Sequence, residues 1–276
     1  MTAPIVDAES VLALDIGSIH TRALLFDVVD GQYRFIAAGV ASSTAAAPFC
    51  DVSEGVYQAI GRLQEMTARK LLDSQSQLIL PSQPDGSGVD QMAITFSAGP
   101  ALRVVTLGLL EDVSLESANR LAACIPGKIV ESIGLNDRRK TESQIDALLK
   151  AQPDLILLAG GTEGGATRSL GRLVDLIHLA LQVLPREKRP EVVFAGNQHL
   201  AKNIQDALEP LATTETAPNV RPTIDQETFS VAQETIAREV GQIAQRRING
   251  LQSVGRLSSS APLPAGFAFG RMIRFL

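Results

Sequence analysis

Tryptophan is absent, aromatic residues make up only 4% of the 276-residue chain, and it has two cysteines and three histidines. So few aromatics exclude the base-stacking platforms that grip single-stranded nucleic acid. Cys50 and Cys124 stand too far apart for a metal pair or a disulfide framework and read as small buried apolar residues. Positive charge is not in surplus either. Lys and Arg number 25 against 30 Asp and Glu, a net charge of −5, which gives no general attraction to polyanions. Nucleic acid is therefore not an expected partner. No basic run accompanies Asp7 and Glu9, and the first apolar run is broken at Asp15. Neither a signal peptide nor a membrane span is expected, which predicts a cytoplasmic protein. The sequence also lacks solenoid-period repeats, a metal-ligand cluster, and any Ser-His-Asp or Cys-His set by spacing, so no catalytic residue is assigned. His20 reads as a strand-edge residue, His178 as a helix-boundary residue and His199 as a helix-start residue.

The chain does have aliphatic residues in quantity, within a hydrophobic content of 45%. That composition suits a parallel sheet covered by helices on both faces. Residues 1–10 read as a disordered tail. Strands are expected at 11–16, 22–29 and 33–41 as an antiparallel meander, with Asp30-Gly31 turning the second into the third. Asp51-x-x-Glu54 opens a helix marked by Val52, Val56, Ile60, Leu63 and Met66. A Ser-, Gln-, Pro- and Gly-rich stretch from Ser74 to Asp90 is a loop. Strands at Met92–Phe96 and Arg103–Leu110 follow. Regular alternation then begins: helix 114–124, strand Lys128–Ile133, a helix capped by Thr141, strand Asp154–Leu158, helix 170–184, strand Val192–Ala195 and helix 199–208. This pitch implies a largely parallel sheet with right-handed crossovers. A long helix over 229–243, locally basic at Arg246 and Arg247, precedes an apolar segment at Gly266–Leu276 that should pack against something. The expected division is 11–110, 111–212 and a C-terminal helical part 213–276.

Three glycine-containing loops each follow an apolar strand, and such loops at strand carboxyl ends can share one cleft. In the first, Asp15-Ile-Gly17-Ser18, the carboxylate can approach Mg²⁺ through water. Gly17 lets the backbone come near an anion, and Ser18 can donate to it. The same string is also an ordinary hairpin turn. No helix and no Gly-Lys-Ser/Thr follow it, so it is neither a P-loop nor a dinucleotide fingerprint. In the second loop, the pairs Gly160-Gly161 and Gly164-Gly165 flank Thr162 and Glu163 ahead of a helix. That loop can seat phosphate or a nucleotide sugar, or its glycines simply let strand and helix pack closely. Glu163 opposes an anion unless it faces a metal or a ribose hydroxyl. The third loop is Gly196-Asn197.

The ordered motifs resemble a known group. The strand–Asp15-Ile-Gly17-Ser18–strand opening looks like the first phosphate motif of the actin, Hsp70 and sugar-kinase superfamily. Next come Asp51-Val-x-x-Gly55 and Ser97-Ala-Gly99-x-x-Leu102-Arg103-Val104-Val105-x-x-Gly108-Leu109. Pro153-Asp154 through Gly165, Val193-Phe-Ala-Gly196-Asn197 and Asn219-Val-Arg221-Pro222 complete the series. It is similar to the glutamate mutase L-type (MutL-like) proteins, which are unrelated to mismatch repair, from about Leu12 to Leu276. The resemblance implies an actin-like, ribonuclease H-like ATPase fold with an additional alternating α/β subdomain. It also implies ATP and Mg²⁺ as cofactors and a reactivating role toward an adenosylcobalamin-dependent mutase. By it, Asp15, Gly17 and Ser18 line the first phosphate loop, with Asp15 on the metal side, and Thr21 and Arg22 stand where the family has Thr and Lys. Ile19-His20 replaces a more polar pair and Pro100 the second Gly of a Gly-Gly step. Family members continue into a second half with another Asp-x-Gly-Gly loop, so the chain reads as an N-terminal half. The alternative is a non-catalytic scaffold that assembles with another subunit, or with itself through the C-terminal segment. A sugar or acetate kinase would need a catalytic carboxylate between two phosphate loops, and none stands out.

Overall fold

The structure is a computed structural model that describes residues 9–165, 167–258 and 260–273. It resolves into two units, Met1–Pro100 with Arg238–Leu276, and Ala101–Ala237. The tail expected over residues 1–10 lies outside the described residues as far as residue 8, and so do the last three residues of the C-terminal segment.

The first unit is built on a five-stranded sheet. Strands β1 (Ser10–Ile16), β2 (His20–Val29) and β3 (Gln32–Ser42) form the antiparallel meander. Strand β4 (Gln91–Phe96) then pairs parallel to β1 on its other side. A short β10 (Leu263–Pro264) pairs parallel to β4 and gives the order β10-β4-β1-β2-β3. Period-two alternation explains the layering: Leu12, Leu14, Ile16, Ala23, Leu25 and Ala41 share one fully buried face. Helix α1 (Val52–Thr67) packs on that face with Val56, Ala59, Ile60 and Leu63. Asp51 is its N-cap, and the side chain accepts the Ser53 N–H at 2.8 Å. Glu54 does not complete a reciprocal box, since its carboxylate is engaged by Gln58 one turn on. The opposite face is only half covered; Phe26 and Phe35 meet edge to face there at 5.8 Å. The polar stretch after α1 is a loop with one isolated bridge between Leu72 and Leu78.

The second unit holds an all-parallel five-stranded sheet. Its strands are β5 (Leu102–Gly108), β6 (Gly127–Gly134), β7 (Leu155–Ala159), β8 (Glu191–Phe194) and β9 (Thr214–Thr216), in the order β6-β5-β7-β8-β9. The intervening helices are α2 (Glu116–Ala122, entered through a π-turn at Glu111–Leu115), α3 (Thr141–Ala151), α4 (Arg168–Val183) and α5 (Gln198–Leu208). Every residue of β7 and β8 is buried. One face packs Val105, Leu107, Ile156, Leu158 and Phe194 against Leu148, Leu170, Leu173, Ile177 and Ile204 of α3, α4 and α5. The mixed α/β class with a parallel sheet is thus as expected. The strand at 102–108, grouped by sequence with the first subdomain, pairs only with β6 and β7. Parallel pairing between distant segments leaves no local mark, so the border falls at Pro100 rather than near residue 110. The far border lies inside α6 (Ser230–Arg247), which α7 (Leu251–Gly255) and α8 (Ala265–Ile273) follow. Thr141 is the first residue of α3 rather than its cap, which is Lys140. No helix of the described residues is long and apolar enough to cross a membrane.

Two constraints in the first unit are testable. At Gly39 a Cβ would lie 2.0 Å from the Ala59 carbonyl oxygen and 2.6 Å from the Leu63 nitrogen, because β3 and α1 touch backbone to backbone. At Gly61, inside α1, a Cβ would meet nothing within 4 Å. Gly39→Ala should cost about 1–3 kcal/mol or more in urea unfolding through overpacking. Gly61→Ala should gain about 0.5–1 kcal/mol through helix propensity. Equal effects would contradict the packing. The second constraint is Asp90, which ties the starts of β1 and β4 by accepting from the Glu9 and Ser10 amides, each at 2.9 Å, and from the Ser82 amide at 3.1 Å. Burial pushes its carboxyl up, but the Ser82 and Ser10 hydrogen bonds outweigh that and hold it below the ordinary 3.8. A depressed folded value means stability fully present above the unfolded value and lost as pH falls through the folded one. Asp90→Asn should therefore flatten the pH dependence of unfolding in the acidic limb below about pH 5, measured by urea titration from pH 7 to pH 3.

Candidate functional site

Asp15 sits one residue from the carboxyl end of β1, where the strand is flanked by antiparallel β2 and parallel β4. The carboxyl ends of strands are where open α/β sheets leave room for ligands. Register places Arg22 of β2 and Thr95 of β4 directly beside it. The Arg22 guanidinium donates to one Asp15 oxygen at 3.1 Å and the Thr95 hydroxyl to the other at 3.2 Å. The Arg22 and Asp15 side chains remain 47% and 32% exposed. Gly17 makes the tight turn. Its N–H donates to the His20 carbonyl at 2.9 Å, and a Cβ there would lie 2.7 Å from that oxygen. Ser18 donates to the Ser97 carbonyl at 3.2 Å, while Ser97 and Ala98 donate to the Ile16 carbonyl at 2.9 and 3.1 Å. The ends of β1 and β4 are thus laced together beneath an exposed tip of Ser18, Ile19 and His20. Thr21 turns the other way. It is 1% exposed on the face under α1, its hydroxyl near Gly55, so only its neighbour Arg22 reaches the Asp15 side.

The other two glycine loops both belong to the second unit, where they meet at the carboxyl ends of β7 and β8. The Asn197 N–H donates to the Gly160 carbonyl at 3.0 Å, and a Cβ on Gly196 would lie 2.2 Å from that oxygen. Gly161 and Gly164 have φ of 74° and 72°, the left-handed region that glycine enters without strain. Between them Thr162 accepts the Gly165 N–H at 2.8 Å through its carbonyl. Glu163 donates its own N–H to the Pro222 carbonyl at 2.9 Å. Its carboxylate lies at the N-terminus of α5, taking the Gln198 N–H at 3.2 and 3.3 Å and Asn219 Nδ2 at 2.8 Å. Asn219 also donates to the Gly161 carbonyl at 2.9 Å and accepts from the Arg221 N–H at 2.9 Å. Glu163 therefore faces a helix N-terminus of its own chain, where partial positive charge favours it.

A concavity of about 630 Å³ also opens in this unit beside the ends of β5 and β6, lined by Glu111, Asp112, Glu116, Asn119, Asn136 and Asp137 among others. A hydrogen bond from Arg139 holds the Asp137 carboxyl below its ordinary range, and Arg138 also lines the concavity, so its wall carries both signs of charge. Among the described residues no group of three or more His, Cys, Asp or Glu could hold a metal. Mg²⁺ carried by phosphates needs only one or two carboxylates from the protein.

Sequence reasoning missed Thr95, whose place beside Asp15 depends on sheet register and has no local signal. Asn197 and Asn219 stand within the ordered motifs, and their roles become visible only in the fold. An Asn just after a strand and just before a helix is the available sign, since Asn is a favoured N-cap.

A family model described as "MutL protein" matches residues 11–276. The "Protein MutL" of Clostridium tetanomorphum is 22% identical over 241 residues, covering 87% of this chain and 45% of the relative. The chain thus spans less than half the length of that relative. Among solved structures, a "Glycerol dehydratase reactivase" aligns over 57% of this chain and 28% of its own, at 15% identity and a TM-score of 0.19.

The Asn219 clasp makes a direct prediction. Asn219 is 6% exposed, and Asn219→Ala leaves the Gly161 carbonyl, the Glu163 carboxylate and the Arg221 N–H each short of a partner. A loss of about 1–3 kcal/mol is expected in urea unfolding, with faster amide exchange at Gly161–Gly165. A variant as stable as the parent would show that the clasp does not order the loop.

Proposed function

The chain belongs to the MutL family, and on that footing we propose that it is the nucleotide-binding part of an actin-like ATPase that reactivates an adenosylcobalamin-dependent mutase. The observation carrying this reading is the Asp15 turn: a lone, partly exposed carboxylate at the direction change of a five-stranded sheet, beside an exposed Ser-Ile-His tip. The order of motifs across the chain supports the assignment to this superfamily. The partner mutase rests on that resemblance alone.

In this reading the residues divide the work. Asp15 orients the water shell of Mg²⁺, with Thr95 fixing its carboxylate from the side. Mg²⁺ supplies neutralisation of charge on the phosphates it accompanies. Arg22, held beside Asp15 by an exposed ion pair of little net worth, can turn to a phosphate oxygen. Gly17 keeps the turn narrow, and its N–H is already committed to His20, so donation to phosphate falls to the exposed tip, the Ser18 hydroxyl taking part by exchanging the Ser97 carbonyl for a phosphate oxygen. Within the second unit by itself, the loop of Gly160, Gly161, Thr162, Gly164 and Gly165 is proposed to seat phosphate or a nucleotide sugar. Thr21, buried under α1, supports the turn from behind.

A second reading, an assembly scaffold without hydrolysis, draws on Ile19, which is 75% exposed at the tip where a polar side chain would suit a phosphate better. Phe269, Met272 and Ile273 of α8 are 64%, 62% and 58% exposed, which suits a contact surface.

One titration separates the two. The protein should bind Mg²⁺·ATP weakly but measurably by ligand-observed NMR. Asp15→Ala should weaken that binding at least about tenfold, a loss of about 1.4 kcal/mol. Its thermal midpoint should stay close to the parent's, because the exposed Asp15–Arg22 pair contributes little stability. Binding that ignores Asp15→Ala overturns the site, and no binding by either protein favours the scaffold.

A further inference from the structure

We propose that Arg22 is an interlock on the Asp15 turn, an inference that rests on the nucleotide reading of that turn. Its guanidinium holds the cation seat on the Asp15 carboxylate, so that a divalent ion is taken up together with a phosphate group and disfavoured alone.

The placement comes from register. Across the half-covered face of the first unit's sheet, the strands align Thr95, Asp15, Arg22 and Val40 in one row. Side chains two residues apart along a strand share a face. The next row on that face is therefore Ala93, Ala13, Leu24 and Ala38. On the other side of Arg22, His20 and Ser42 pair beside the exposed tip. Neither neighbouring row contains an acid. Asp15 is thus the carboxylate that these strands offer to Arg22, and Val40, its neighbour on the other flank, is apolar.

A second arginine of the same unit shows how such a pair is held when it is structural. Arg69 Nη1 reaches both Asp27 oxygens, at 3.1 and 2.8 Å, and its Nε donates to the Gly88 carbonyl at 2.8 Å. The Arg69 side chain is 16% exposed. Arg22 sends one nitrogen to one Asp15 oxygen at 3.1 Å and is 47% exposed. That contact is longer than the roughly 2.7–2.9 Å usual for charge-assisted bonds. The other Asp15 oxygen takes the Thr95 hydroxyl at 3.2 Å, so the carboxylate keeps its orientation when Arg22 leaves.

Charge decides what replaces the guanidinium. Its presence shows that the Asp15 carboxylate accepts a cation, and it stands in for the ion. Carboxylate and guanidinium cancel one another. Uptake of a bare divalent ion displaces Arg22 and leaves it beside a like charge, with no other acid on those strand rows to receive it. A phosphate entering with the ion supplies the missing acceptor, and the planar fork of arginine suits phosphate oxygens. Ion and phosphate therefore each improve the seat for the other, by the same factor.

The full chain is titrated with Mn²⁺ alone at fixed ionic strength, following paramagnetic broadening of the Gly17, Ser18 and Thr95 amides by NMR. The parent should broaden weakly. Arg22→Gln should bind Mn²⁺ at least about threefold more tightly, because the competing charge is gone. The same variant should bind Mg²⁺·ATP at least about threefold more weakly, because a phosphate partner is lost. Arg22→Lys keeps the charge and should return both affinities toward the parent. An arginine that merely braces the turn gives no such opposite signs. Mn²⁺ affinity unchanged or reduced in Arg22→Gln overturns the interlock, and so does Mg²⁺·ATP affinity unchanged or raised. Adding Asp15→Asn to Arg22→Gln should abolish the broadening; if it persists, the ion sits elsewhere and the interlock is refuted. The manganese titration contains no nucleotide, so the two failures separate. No gain there, with the Asp15→Ala titration of Mg²⁺·ATP as expected, refutes the interlock alone. A gain there, with Mg²⁺·ATP binding that ignores Asp15→Ala, refutes the nucleotide reading and the interlock that rests on it.

Discussion

A strand buried on both faces must give its backbone polar groups to neighbouring strands along its whole length, and this constraint places every feature of chemical interest in the chain. In β7 and β8 each residue is buried, and Glu191 at the start of β8 is the one charged side chain among them. Freedom begins only where pairing ends. That is why Gly160 follows directly on β7, whereas Asp15, still paired on both sides next to last in β1, finds its room on the half-covered face of its sheet. The same constraint explains the glycines at the second edge. Two loops leaving adjacent strands must pass with the Gly160 carbonyl touching the Gly196 position, which leaves no space for a Cβ.

What the sequence reveals follows from the same physics. Alternation marked β1, β2 and β3, and Asp30-Gly31 marked their turn, because a half-covered antiparallel sheet writes its two faces into the chain. The buried parallel strands were visible as short apolar runs between helices. Their partners were not. Nothing in Leu102–Gly108 says that it pairs with β6 and β7, and a sequence border near residue 110 results. The three-residue β9 and two-residue β10 are too short to carry a period. Their strand character comes wholly from the neighbours β8 and β4.

The candidate-site residues divide along the same line. Asp15, Gly17 and Ser18 were legible because a turn has a local chemistry. Thr95 was not, because it lies 80 residues away and meets Asp15 only through parallel register. Thr21 shows the reverse failure. It stands beside Arg22 in the motif, yet neighbours on a strand point to opposite faces, and Thr21 goes under α1 while Arg22 goes to Asp15. By sequence Glu163 opposes an anion unless it faces a metal or a ribose hydroxyl. In the fold it is itself the anion, set against the N-terminus of a helix that starts 35 residues later.

The two edges differ in how firmly their acids are held, and that difference bears on what each can do. Asp15 is paired with Arg22 across a gap open to solvent, where a single ion pair is worth about 0–1 kcal/mol. Little free energy opposes exchange of that guanidinium for a hydrated cation, so the turn is suited to a ligand that comes and goes. Glu163 is held by two neutral donors, one of them long, within a loop whose backbone is fixed separately through Pro222 and Asn219. Because side chain and backbone have different anchors, the carboxylate can move without unfolding the loop. The unpaired Asn197 Nδ2 then remains as the fold's one buried donor at that terminus without an acceptor among the described residues. That edge is closed by an acid of its own chain, whereas the Asp15 turn is closed only by an exposed ion pair.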